Sequence, residues 1–270
     1  MAPQTRQQGP SCGLWALGAA LPAFRAPSED AGRGGAGAVD LATQQRLLAL
    51  AQSLGVSAYG ECFSVAALAD VAQHAIRAAG APAIARVAAF PTAAQLVASL
   101  DRGGLLLVPY DRDRQNEPSC RGGHAAHWAL IMGYVVDAPG RADGPAAGEP
   151  DPAADLVFVT GAGGGRGVPA DHVVGVVAAH GMSLHRTVWD LAALRASNAQ
   201  LACVSPRVRG AEDARPRVAA RPAPMATTTP TTTITRTPPP RAPYVLWPES
   251  AGGMQLAGHV VLLVPAPAIA

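Results

Sequence analysis

The chain has 270 residues, about half of them apolar, so it can bury a substantial core in one large domain or two small ones. All 21 basic residues are arginines, and against 19 acidic residues the formal charge is only +2. There is no basic stripe that would suit nucleic acid. No apolar run approaches membrane-spanning length, and the first residues lack the charged-then-apolar layout of a secretory leader. The cysteines at 12, 62, 120 and 203 are irregularly spaced, without a CxxC pair, which fits reduced thiols in a cytoplasmic, soluble protein better than a disulfide framework.

In chain order, the first informative stretch is QQGPSCGLWALGAAL, residues 7–21. Gly9-Pro10 makes a tight turn, Ser11 is a candidate N-cap, and Leu14, Trp15, Gly18 and Leu21 recur at helical spacing until Pro22. Cys12 then opens a helix, where unpaired N–H groups and the helix dipole favour the nucleophilic thiolate and a lowered pKa. Gln7 is placed to supply one arm of an oxyanion hole, with the Cys12 backbone N–H as the other. A Gly-rich loop covers 32–38, and Asp40 caps a helix to Leu54. Ser64 starts another through Val65, Leu68, Ala72 and Ile76 to Gly80, and a shorter helix spans 92–100. The first hundred residues therefore read as predominantly helical.

Beyond them the pattern changes to strands: Leu105–Val108, His127–Val136, Leu156–Thr160, Val173–Ala178 and roughly His185–Trp189. Asp190 caps a short helix, LAALRASN. Residues 137–155 read as a loop insertion and 207–243 as a disordered Pro/Thr/Arg-rich insertion. The pieces Tyr244–Trp247 and His259–Val264, within 244–270, rejoin the sheet and complete the domain of 1–206. Helices followed by strands imply an α+β domain with segregated layers, the N-terminal helices packed on a C-terminal antiparallel sheet.

The chemistry centres on Cys12 and a histidine at a strand start. In papain-like hydrolases the nucleophile lies on a helix and the base on the sheet, distant in sequence and adjacent in space. His127 competes with His124, and is preferred because Trp128 and the apolar strand after it would shield the ring. For a third group that orients the imidazole, Asp137, Asp190 and His180 all remain open, with a lean towards Asp190. The segment GAGGGRG at 161–167 lacks the Lys-Ser/Thr ending of a phosphate loop, and no cluster has metal-ligand spacing, so neither metal nor organic cofactor is expected.

Four blocks in the same order, QQGPSCGLWAL, SAYGECFSVAAL, LLLVPYDRDRQNEPSCRGGHAAHWAL and VWDLAALRASNAQL, resemble the actin maturation proteases, papain-like cysteine aminopeptidases. A weaker likeness runs from YVLWP to AGHVVLLV. The resemblance implies removal of the acetylated N-terminal residue, Met or Cys, from immature actin. By position it matches Cys12 to the nucleophile, His127 to the histidine and Gln7 to the upstream glutamine. Family members often carry a proline-rich N-terminal extension that implies recruitment of profilin-bound actin. Met182 stands where the family pattern leads one to expect lysine. Arg112, Arg114 and Arg121 are candidates to pair with acidic residues of such a substrate, unless Asp111 and Asp113 neutralise them on a solvated surface. A peptidase of the double-glycine leader type, or an inactive actin-binding scaffold, are the competing expectations.

Overall fold

The computed structural model describes residues 5–24, 39–137, 156–160, 169–202 and 255–267. The Gly-rich stretches 32–38 and 161–167, the insertions after Asp137 and at 207–243, and the piece at 244–247 lie outside the described residues. The architecture is α+β, as expected, around one antiparallel sheet. The helices are α1 (Cys12–Ala20), α2 (Leu41–Ser53), α3 (Val65–Ala78), α4 (Ala93–Asp101) and α5 (Leu191–Ala199). The strands are β1 (Ala83–Ala89), β2 (Leu105–Arg112), β3 (Pro118–Ser119), β4 (Ala126–Asp137), β5 (Leu156–Thr160), β6 (Val173–His180), β7 (Thr187–Asp190) and β8 (His259–Pro265). Their order is β1-β8-β2-β4-β6-β7, with β3 paired to β2 and β5 to β4.

Local chemistry explains the helix starts. The side chains of Asp40, Ser64, Thr92 and Asp190 accept from the N–H groups of Thr43, Ala67, Gln95 and Ala193, and Thr92 with Gln95 completes a capping box. Ser11 differs. It precedes α1 without capping it, because its hydroxyl donates to the Gln8 carbonyl at 2.7 Å instead. Pro22 ends the α-helix but not the winding, which continues as a 3₁₀ turn from Leu21 to Phe24.

Two expectations are corrected. A strand, β1, lies among the first hundred residues, paired along its whole length with β8. The layers are also not segregated. One core joins α1, α2 and α3 to Leu105, Leu107, Trp128, Leu130, Val261 and Leu263. A second joins α4 and α5 to Leu106, Val108, Tyr110, Ala129, Ile131 and Val260 on the opposite face. The sheet is therefore covered on both sides, which is why the first seven residues of β2 and eleven of the twelve of β4 carry side chains that are buried or nearly so. Among the described residues no helix is long and apolar enough to cross a membrane.

Leu106→Ala and Leu107→Ala test the two-sided burial. Each should cost about 2–5 kcal/mol in denaturant unfolding, because each leaves a cavity in a different core. A near-neutral result for either one would mean that its face of the sheet is open.

Candidate active site

The N-terminal segment is tied down before α1 begins. Thr5 donates through its N–H and hydroxyl to the Val39 carbonyl, and the Trp15 indole N–H donates to the Thr5 carbonyl at 2.8 Å. Gln44, buried on α2, donates to the Thr5 hydroxyl and accepts from the Gln8 N–H. The Gln7 N–H donates to the Gly181 carbonyl at 2.9 Å, just after β6. These bonds carry Gln7 and the start of α1 to the sheet end where β4 begins.

There the structure brings Gln7, Cys12 and His127 to one cavity of about 210 Å³, lined also by Glu61, Cys62, Arg112, Trp128 and Met182. His124 lies exposed in the preceding loop and does not line it. α1 approaches β4 closely at Gly13, where an added Cβ would meet Cys62 Cβ at 3.2 Å and the Trp128 ring at 3.3 Å, tighter than ordinary packing. The Trp128 indole donates to the Cys62 carbonyl at 2.9 Å. Three of the sequence blocks thus converge on the thiol.

The electrostatics differ from the expected preformed thiolate. Burial pushes the Cys12 thiol up to about 11, outweighing the backbone N–H groups of Trp128, Gly13 and Cys12 and the Arg112 guanidinium, all of which draw it down. Burial also lowers His127 to about 3, helped by His180 and Arg112. His180 falls to about 4, through burial first and Arg112 second. The dense surroundings of the helix end therefore override its dipole. Burial thus favours the neutral thiol and the neutral imidazole over the charged pair.

His127 Nε2 is buried without a hydrogen-bond partner, and so is His180 Nδ1. The two rings meet edge to face at 6.0 Å between centroids, Tyr110 contacts His127 at 5.8 Å, and Trp189 stacks on His180 at 5.7 Å. Of the three candidates for a third group, His180 is the one beside His127. Asp190 is exposed, caps α5 through the Ala193 N–H and does not line the cavity. Asp137 is exposed at the far end of β4. The structure thus does not bring Asp190 to His127.

Gln7 lines the cavity, but its Nε2 donates to the Gly9 carbonyl at 3.1 Å, and its Oε1 is buried and unpartnered against Gly181. Its amide must turn before it can donate to a bound oxyanion. Arg112 is half-buried in the cavity wall with Nη1 donating to Asn116 Oδ1 at 3.0 Å, whereas Arg114 and Arg121 are exposed and do not line it. Asp111 is no surface counter-charge: it is fully buried, and its alternation with arginines hid that. Asp113 caps a turn, accepting from the Gln115 and Glu117 N–H groups.

Two measurements check this picture. The rate of Cys12 alkylation by iodoacetamide, followed by peptide mass, should climb through about pH 7–10, and a plateau already reached near pH 5 would establish a resting thiolate–imidazolium pair instead. Both histidines bind protons less readily when folded, so stability is full above the ordinary histidine value near 6.5 and is lost as pH falls from there towards 3–4. His180→Phe should flatten the fall in melting temperature between about pH 7 and 4; an unchanged slope would remove His180 as a source of it.

Comparison with known proteins agrees with the sequence blocks. The family model for the actin maturation protease-like C-terminal domain matches residues 2–135. The actin maturation protease of Mus musculus is 31% identical over 76% of this chain and 54% of its own length. Those of Bos taurus and Homo sapiens are each 32% identical over 76% of this chain and 56% of theirs. The chain thus spans about half the length of these relatives. No solved structure matches it. The chain belongs to the actin maturation protease family.

Proposed function

We propose that the protein is a thiol aminopeptidase of papain-like design that removes the acetylated N-terminal residue, Met or Cys, of immature actin. The observation that carries the reading is the convergence of Cys12, at the start of α1, and His127, at the start of β4, on one cavity with Gln7. His127 takes the Cys12 proton as the sulfur attacks the carbonyl of the acetylated residue. A thioester to that residue forms, and His127 returns the proton to the departing amine, which becomes the mature N-terminus. Water then cleaves the thioester. The Cys12 backbone N–H and the Gln7 amide, once turned from Gly9, receive the oxyanion.

Since burial favours the neutral forms of both groups, the proton moves with the attack in this reading. A cavity of about 210 Å³ is smaller than pockets for drug-sized ligands and suits one acylated residue. Arg112 is the arginine placed to meet a substrate carboxylate after the scissile bond, since among the described residues no carboxylate pairs with it. Arg114 and Arg121 act, if at all, from the surface. The actin substrate is proposed from the relatives' names and delivery with profilin from the sequence resemblance alone, neither from the cavity.

An acetylated actin N-terminal peptide incubated with the protein, beside Cys12→Ala, tests the reaction by mass spectrometry. Loss of one acetylated residue with wild type alone is expected. Peptide binding without cleavage would leave the scaffold reading, and cleavage of Gly-Gly leaders in its place would favour the leader peptidases. Arg112→Gln should lower kcat/KM about 10-fold on the acidic peptide and little on a neutral one, the effect of losing one charge-assisted bond. Equal losses on both peptides would remove Arg112 from specificity, while Arg114→Gln should change neither by more than about twofold.

A further inference from the structure

The Asp111 carboxylate is fully buried on β2, yet among the described residues no arginine side chain is bonded to it. Its Oδ2 accepts from the N–H groups of Arg121 at 2.8 Å and Gly123 at 2.9 Å, and its Oδ1 from that of Ala125 at 2.8 Å. Gln200, at the end of α5, closes the ring. Its Nε2 donates to Asp111 Oδ2 at 3.4 Å and to the Ser197 carbonyl at 2.9 Å, and its Oε1 accepts from the Gly122 N–H. The Asp111 backbone is held as well, with its N–H donating to Ser197 Oγ at 2.8 Å and its carbonyl accepting from the Ser197 and Ser119 hydroxyls.

All four backbone donors belong to residues 121–125, the loop that delivers the chain to His127. Gly122 and Gly123 stand at φ 74° and 91°, a conformation that turns successive N–H groups inward and that side-chain-bearing residues rarely adopt. Such a concavity of N–H groups is an anion nest, and here it is filled by a carboxylate of the same chain. Burying a carboxylate is costly unless its acceptors are satisfied. The loop has only two long internal bonds of its own, His124 N–H to Arg121 at 3.4 Å and Ala126 N–H to Gly123 at 3.2 Å. Its shape therefore depends on Asp111.

The His127 ring has no orienting hydrogen bond at its buried Nε2. Its direction comes from its backbone and from ring packing. The same short segment of β2 supplies both, since Tyr110 is the register partner of His127 and touches its ring, while Asp111 is the partner of Ala126 and holds the loop before it. We propose that Asp111, seconded by Gln200, is the positioning residue for His127, doing through the loop what a third catalytic carboxylate would do through the ring. This rests on the reading of His127 as the base.

The test uses Asp111→Asn and Gln200→Leu in the full chain. Asparagine keeps the volume but turns an NH₂ towards the inward N–H groups. It should leave cooperative unfolding intact and KM within about twofold, while kcat falls on the order of 100-fold, as for a misplaced catalytic group. Gln200→Leu should act in the same direction and less. Independently of turnover, long-range ¹H–¹⁵N spectra should show a shifted or broadened His127 ring, and the amides of Arg121, Gly123 and Ala125 should lose exchange protection. An unchanged His127 ring, or reduced stability with wild-type kcat, would overturn the proposal. If Asp111→Asn does not fold, Gln200→Leu decides by the same two readouts. Should the wild type cleave no peptide, the aminopeptidase reading falls, but the ring spectra and amide exchange still decide whether Asp111 holds the ring.

Discussion

The site hangs on the way Trp128 seats α1 against the start of β4. Its indole N–H is bound to the Cys62 carbonyl, its ring lies against Gly13 closely enough to crowd a Cβ there, and its backbone N–H bears on the Cys12 sulfur. One residue thus joins the helix that Cys12 opens, the segment at 57–63 and the strand that carries His127. Because Trp128 is almost wholly buried in the core shared by α1 and α3, close packing joins the hydrogen bonds in setting the distance between helix end and strand end.

The same density governs the chemistry. Removing water raises the thiol and depresses the imidazole, so separated charge is disfavoured until a substrate carbonyl is present to receive it. Arg112 is the counterweight. It favours the Cys12 anion and opposes a proton on either His127 or His180, so it biases the pair towards thiolate without stabilising imidazolium.

What could be read from the sequence was what local rules control. Asp40, Ser64, Thr92 and Asp190 announced their helices because an N-cap needs only nearby donors. Cys12 and His127 stood out by residue type and context. The strand β1 did not, since AIARVAA has neither clean alternation nor β-branched density, and it is specified by β8 far along the chain. Asp111 was misread for a related reason. In PYDRDRQ its neighbours suggest a charged surface, and only the fold reveals that the glycines at 122 and 123 and Gln200 of α5 enclose it. Asp190 attracted a catalytic role because a capping carboxylate and a triad carboxylate look alike in one dimension.

The position of β8 has a temporal consequence. Residues 259–265 lie between β1 and β2, pairing 83–89 on one side and 105–107 on the other. On a ribosome, residues 105–107 of β2 thus lack their β8 neighbour until synthesis has passed Leu263, whereas Asp111 and Arg112 already have β3 beside them. Such long-range pairing is slow, and it cannot begin before its partner strand exists. Cys12 and His127 both emerge before β8, and the sheet closes between β1 and β2 only once β8 has emerged. Completion of the sheet beside the candidate site therefore waits for β8.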